Sequence, residues 1–391
     1  MKKSQLDFFF EFYEKKRIPE IYSNIIFKNR EDTSVIKNVR EKTVHDKIYS
    51  IFFIPEYIVP QCKAQHFKVK KIDQYFKGYA LDLSHFDSAD AYIKNRFRSN
   101  AKTIRKRARR LETCFDITTK MFYGSIDRAD YDILIDKAFK MIQRRFDERQ
   151  AESHTLTQWD RIKTIFFSLI NEKKASMYVI YDSDKPIAIS LGHHFHGKLF
   201  SLVSAYDIDY SKFSLGNIEI YRKIDWCLKN EHYMYELGMG DLDYKREWSN
   251  NIYNFQHQVL YSTKNILTRL SGFALYCKAY CKELCYKKAY EPYDKVRARI
   301  RSFKRKKETM ENTAPQVDIV QNPVELKTWE KIPFENSKYD FLKRHINDFL
   351  YMAIENKKNL TAYKMITDEN KFLIKTSKQA VTVQFVKSKP L

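Results

Sequence analysis

Tyr206-Asp-Ile-Asp-Tyr-Ser-Lys-Phe-Ser-Leu-Gly-Asn-Ile-Glu-Ile-Tyr221 is the stretch on which the fold turns. Apolar residues lead into it from Leu199, a short polar loop follows, and beyond Ser214 one helical face carries Ile220, Ile224, Cys227 and Leu228. Ser214 is a residue type that caps such a helix. The chain therefore passes from strand through loop into helix, with Gly216 near the helix start. Backbone N–H groups at a helix N-terminus bind anions, and a glycine there permits close approach, so Ser214, Leu215, Gly216 and Asn217 form a turn that suits a pyrophosphate. An ordinary strand–helix turn with a serine cap has the same appearance.

Periodicity extends the plan in both directions. Upstream, Tyr131, Leu134, Ile135, Ala138, Phe139, Ile142 and Phe146 recur at helical spacing, and Trp159, Ile162, Ile165, Phe166, Leu169 and Ile170 repeat the pattern. Met177–Tyr181 reads as a strand. Ile187–Phe195 and Leu199–Tyr206 read as a hairpin around His196-Gly197. Downstream, Tyr233–Leu237 is a further strand. Nearer the start, the pattern predicts a helix over Leu6–Lys16, strands at Ile48–Ile54 and Tyr79–Leu83, one long helix from Asp87 or Ser88 to about Leu111, and a strand at Phe115–Met121. The order of elements predicts an α+β fold with one parallel crossover.

A second constellation follows the last of these strands: Glu236-Leu-Gly-Met-Gly-Asp-Leu-Asp-Tyr-Lys-Arg-Glu-Trp248. Two glycines end the strand, and two aspartates precede a short helix beginning near Tyr244. The loop gathers carboxylates, a phenol and cations, the groups that proton transfer requires. Packing is the competing explanation, because Tyr244 and Trp248 are four residues apart, and Asp241 or Asp243 suits a helix cap.

Taken together, the two segments resemble the GNAT-like acetyltransferase domain of bacterial proteins associated with polysaccharide production, a branch similar to the Fem-type aminoacyl transferases. The resemblance rests on Tyr210, Ser214, Leu215 and Gly216, then on Gly238, Gly240, Asp241, Tyr244, Lys245 and Trp248, and on the arginine-rich stretch Phe97–Leu111. It covers about residues 94–261. It implies a GNAT-like mixed sheet with flanking helices, two GNAT-like lobes in tandem, and transfer of an acyl group from acetyl-CoA or another acyl-CoA to an amine such as an amino sugar or envelope precursor. Glu236 or Asp241 is then the expected base and Tyr244 the proton donor to the departing thiolate. Ser214, Leu215, Gly216, Asn217 and Lys245 are the expected donor-binding residues. The family's Arg/Gln-x-x-Gly-x-Gly/Ala signature survives here only as Phe213-Ser-Leu-Gly-Asn217, which leaves aminoacyl-tRNA as the alternative donor.

The expected divisions are an N-terminal GNAT-like lobe over 1–122, an acyltransferase lobe over 123–265, a basic amphipathic segment over 266–307, a linker over 308–336 and a small C-terminal module over 337–391. Charge is concentrated in two places. Lys94–Glu112 holds nine basic residues and one acid, and Lys264–Lys307 holds fourteen and three, out of a net charge of +22. Such patches call for a polyanionic partner: an anionic membrane face reached through the basic helices, or nucleic acid such as tRNA. A non-enzymatic RNA- or membrane-binding role on the same scaffold is the rival reading. The apolar patch Phe8–Phe10 is too short for a signal peptide and no run is long enough to span a bilayer, so a cytoplasmic protein, peripheral at the inner membrane face, is expected. Six cysteines contain no CxxC, and His193, His194 and His196 lie at a hairpin tip without further ligand spacing, so no metal is expected. Cys277, Cys281 and Cys285 form one helical stripe, for packing or for a partner.

Overall fold

The computed structural model describes residues 3–28, 35–38, 47–290, 292, 296, 315–320 and 325–385. The basic run Arg301–Lys307 lies outside them. In chain order the strands begin β1 (Lys3–Asp7), β2 (Tyr22–Phe27), β3 (Val35–Lys37), β4 (Ile48–Pro55), β5 (Ile58–Cys62) and β6 (Phe67–Asp82). Helices α1 (Ala89–Phe97) and α2 (Ala101–Cys114), strand β7 (Ile117–Phe122), and helices α3 (Arg128–Glu148), α4 (His154–Thr157) and α5 (Trp159–Asn171) follow. Next come β8 (Ala175–Asp182), β9 (Lys185–Phe195), β10 (Lys198–Tyr206), α6 (Leu215–Lys229), β11 (Met234–Met239), α7 (Asp243–Trp248), β12 (Asn251–Ser262) and α8 (Ile266–Cys285). The C-terminal part holds β13 (Gln316–Val320), β14 (Trp329–Ile332), α9 (Lys343–Ala353), β15 (Thr361–Met365), β16 (Lys371–Lys375) and β17 (Ala380–Gln384).

The chain divides into two compact units, each assembled from separated segments. One comprises Met1–Phe86, His193–Leu202 and Cys227–Ser302; the other comprises Asp87–Gly192, Val203–Trp226 and Phe303–Leu391. The fold is α+β, a large mixed sheet with flanking helices.

In the first unit the strand order is β1-β4-β12-β6-β11-β10. β1 is parallel to β4, β10 is parallel to β11, and the strands between are antiparallel. A second sheet, β3-β2-β5, adjoins a core of Phe8, Phe12, Tyr13, Ile25, Tyr49, Ile51, Tyr253 and Leu260. Two sequence expectations are corrected here. The helix expected over Leu6–Lys16 starts as strand β1, because pairing with β4 captures those residues; a single helical turn spans Phe10–Glu14. The strand expected at Tyr79–Leu83 is the end of the 16-residue β6, whose lysine-rich first part conceals its strand character.

In the second unit β10, β9, β8 and β7 are neighbours in that order. α3 and α5 bury the expected apolar stripes, including Tyr131, Ile135, Ala138, Trp159, Phe166 and Ile170. The long helix expected from Ser88 to Leu111 is two helices. Ser88 does cap the first, accepting the Ala91 N–H, but Arg98 adopts a left-handed backbone (φ 51°) and Arg98–Asn100 form a separate tight turn. Ser99 and Asn100 belong to the residue types that compete with helical backbone bonding. The C-terminal strands form the antiparallel sheet β13-β17-β16-β15-β14. With α9 this sheet shares a core with α2 and the start of α6: Leu111, Cys114, Phe213, Leu215, Ile346, Phe349, Leu350, Ile374 and Val383.

α8 rests on the first unit's sheet through Gly272, where a Cβ would lie 2.3 Å from Tyr261 Cγ. Gly272→Val should therefore push the helix off β12. Overpacking of this kind costs about 1–3 kcal/mol, more than the few tenths gained from helix propensity. A fall in melting temperature relative to wild type is the expected result, and an unchanged value would contradict this packing.

Candidate active site

The two constellations fall in different units. In the second unit, β10 ends at Tyr206 and the chain turns through Ile208–Phe213 before Ser214 enters the left-handed region at φ 58°. The turn is fastened on several sides. Arg144 donates to both carboxylate oxygens of Asp209 at 2.7 and 2.9 Å, Lys185 donates to Asp207 at 2.6 Å, and the Tyr210 hydroxyl donates to Asp182 at 2.8 Å. Asn347 of α9 donates to the Asp209 carbonyl at 3.1 Å, and the rings of Phe213 and Tyr351 meet edge to face at 5.0 Å.

Ser214's carbonyl accepts the N–H groups of Asn217 and Ile218, which starts α6. Leu215 is buried in the core, whereas Ser214, Gly216 and Asn217 are half-buried. The first N–H groups of a helix have no intrahelical acceptor. In α6 the Asn217 and Ile218 N–H groups are taken by Ser214, and a Cβ at Gly216 would meet only the Tyr206 ring, at 3.8 Å, so space is open beside Gly216. An open helix start of this kind can receive an anion. Leu215 offers its backbone alone. One turn further, Glu219 and Lys223 form an ion pair at 2.7 Å with side chains 3% and 2% exposed. Ser204 donates to Glu219 at 2.6 Å and Lys223 donates to Ser190 at 3.2 Å.

In the first unit, β10 and β11 pair at three positions, and Phe200 opposite Glu236 is the last, although both strands continue. On the other edge of β11 the register with β6 slips between Glu236 and Gly238. Gly238 (φ 75°) and Gly240 (φ 109°) take conformations that a side chain disfavours, and a Cβ at Gly238 would lie 3.0 Å from the Phe200 ring. The strand end is thereby shaped by a bulge and two glycines.

Glu236 is enclosed, with 1% of its surface exposed. Hydroxyls of Tyr13, Tyr57 and Tyr253 donate to its carboxylate. Burial raises its pKa, opposed by the charge of Lys198 and by the tyrosine hydrogen bonds. Burial and then the Glu236 charge push all three tyrosines well above 10. Lys198 Nζ lies 3.7 Å from the Phe27 ring centre and 4.5 Å from that of Tyr57.

Beyond the glycines the structure gathers Asp241, Tyr244, Lys245 and Arg246. Asp241 accepts a hydrogen bond from Tyr79 and pairs with Arg246 at 2.6 Å. Burial first and then Asp241 raise the Tyr79 hydroxyl to about 12. The two packing explanations separate here, because Trp248 is buried and Tyr244 is 41% exposed. Neither aspartate caps α7: its N-cap is Leu242, with no side-chain cap hydrogen bond, and Asp243 pairs with Arg246. Lys245 is buried, donates to the Met239 carbonyl at 2.7 Å, and is depressed to about 8 by desolvation.

Sequence reasoning missed the partners of these residues. Tyr13, Tyr57 and Tyr79 come from segments distant in the chain. The four-residue spacing of Glu219 and Lys223 was visible, but nothing local marks that pair as buried. Of the histidine group His196 lies in the β9–β10 turn, whereas His193 and His194 are buried in β9, where His194 Nδ1 meets His232 Nε2 at 2.8 Å. Among the described residues no cluster of three or more potential ligands for a metal ion occurs.

Residues 98–246 match the family model described as the acetyltransferase (GNAT) domain, which supports an acyltransferase. Solved structures with similar folds include FemX (12% identity, 57% of this chain and 74% of that one, TM-score 0.41). L-PGS from Bacillus licheniformis shows 10% identity over 58% of this chain and 72% of its own, with a TM-score of 0.36. A GCN5-related N-acetyltransferase from Sphaerobacter thermophilus shows 11% identity over 55% and 60%, with a TM-score of 0.29. Likeness at this level assigns no chemistry, which has to come from the chain's own residues. Comparison with curated proteins returned no match.

Lys245 supplies a pH test. Its folded pKa of about 8 lies below the ordinary 10.5, so above pH 8 the unfolded chain holds a proton that the folded chain releases. Stability then rises with pH between those values. Wild type should gain in melting temperature relative to Lys245→Met from pH 8 toward 10.5, and a constant difference would contradict the buried placement.

Proposed function

We propose that the protein is an N-acyltransferase that moves an acyl group, acetyl in the simplest case, from acyl-CoA to an amine acceptor such as an amino sugar or envelope precursor. The observation that carries this reading is the end of β11. Its ladder with β10 stops at Glu236, and the bulge, Gly238 and Gly240 then lead to the exposed Asp241 and, at the start of α7, Tyr244, inside the GNAT-matched stretch. The open N-terminus of α6, over Gly216, is assigned to the donor's phosphates.

In the reaction the acceptor nitrogen forms a bond to the thioester carbonyl carbon, the carbon–sulfur bond breaks, and the thiol leaves. The amine must first shed a proton. Of the two candidate carboxylates, Glu236 is sealed behind three tyrosines, so we assign it to positioning and assign the base to Asp241, acting through water. Tyr244, partly exposed in the first turn of α7, returns a proton to the leaving sulfur. Lys245 ties α7 to the strand end through the Met239 carbonyl, leaving the partly exposed Arg246 as the nearer cation for a phosphate or acceptor carboxylate.

Chromatographic release of free CoA from acetyl-CoA, with a panel of amines, tests this. Asp241→Asn and Tyr244→Phe should each lower turnover about 100-fold or more with donor affinity little changed. Gly216→Val should instead weaken donor binding in calorimetry while the melting temperature holds. Transfer from aminoacyl-tRNA with no release from any acyl-CoA would overturn the donor assignment. Full activity in both loop variants would overturn the site.

A further inference from the structure

A helix resting on a sheet ordinarily turns its apolar side inward, and α8 does the reverse. Its buried row is Thr268, Gly272, Ala279 and Glu283, with Leu275 and Tyr276 partly covered. Gly272 gives close approach to Tyr261, and Glu283 accepts the Tyr75 N–H at 2.8 Å. Small and hydrogen-bonding residues therefore carry the packing. The outward row is apolar: Ile266 is 71% exposed, Leu267 66%, Leu270 62% and Phe273 50%, and Ala274, Cys281, Leu284 and Cys285 continue it. Its borders are basic. At 3.6 residues per turn, exposed Lys278 and Lys282 fall along one margin and Arg269 along the other. Lys264 precedes the helix and Lys287 and Lys288 follow it. The acid of this helix, Glu283, is on the buried side.

We propose that α8 is a membrane-docking helix, lying in the headgroup layer of an anionic bilayer with Ile266, Leu267, Leu270 and Phe273 inserted below it. An apolar row flanked by Lys and Arg is the composition of an interfacial helix. No helix among the described residues is long and apolar enough to cross a membrane, which fits lying on the surface. Charge selects the occupant. Pairing with a second copy would bring Arg269, Lys278 and Lys282 of two chains together in a protein already carrying +22. A nucleic acid takes its contacts from Lys and Arg, whereas here the outermost residues are apolar. The inference stands independently of the acyl donor.

Co-sedimentation of the full chain with vesicles tests it. The protein should pellet with phosphatidylglycerol/phosphatidylcholine vesicles and bind pure phosphatidylcholine about tenfold or more weakly. Leu270→Gln with Phe273→Gln should lower binding by at least a similar factor. Lys278→Gln with Lys282→Gln should weaken it and flatten its salt dependence. All four side chains face solvent, so melting temperatures should hold, and the charge pair gives a reading separate from the apolar pair. No pelleting with anionic vesicles, or variants that bind like wild type, would overturn the proposal. A lipid-free dimer that Leu270→Gln with Phe273→Gln converts to monomer would also overturn it, by showing that the row meets a second copy.

Discussion

A carboxylate with no access to water has to be matched by donors, and Glu236 is matched by three phenols. Those phenols belong to the Phe10–Glu14 turn, the β4–β5 turn and β12, so three separated segments must be in place before the pairing closes. The Tyr253 ring reaches Glu236 because it lies over Gly78, where any Cβ would sit 2.2 Å from it. Glu236 is also the last residue of β11 paired to β10 and the first of the bulge. The chain that leads to Asp241 and then to Tyr244 and Lys245 of α7 therefore starts from a residue held by three phenols and by pairing with β10. Removing one phenol would leave part of a buried charge unmatched, which costs more than an ordinary hydrogen bond contributes.

The second unit solves a comparable problem at the start of α6. A strand-to-helix turn bearing two aspartates is electrostatically unfavourable alone. Arg144 and Lys185 neutralise it, and α9 braces it through Asn347 and Tyr351. The C-terminal sheet and helix, which carry no motif, thereby acquire a physical role: they hold the turn that places Ser214 and Gly216.

Much of this was legible in the sequence because period and turn chemistry are local. The hairpin at His196-Gly197, the stripes of α3 and α5, the strand–loop–helix passage through Gly216 and the glycine-broken end of β11 all follow from residues near one another. What was not legible depended on partners far along the chain. Asp241 and Glu236 look alike in sequence, and only Tyr13, Tyr57 and Tyr253 separate the sealed carboxylate from the accessible one. Arg98 gives no local sign of its left-handed backbone inside a basic, helix-favouring run. The direction of α8 was also hidden, since an apolar stripe looks the same whether it faces a sheet or solvent; Gly272 and Glu283 decide it.

Amide hydrogen exchange with and without acetyl-CoA tests most directly whether donor phosphates rest on the start of α6. The account predicts slowed exchange at residues 215–218. Protection confined to other segments, or none at saturating acetyl-CoA, would contradict it.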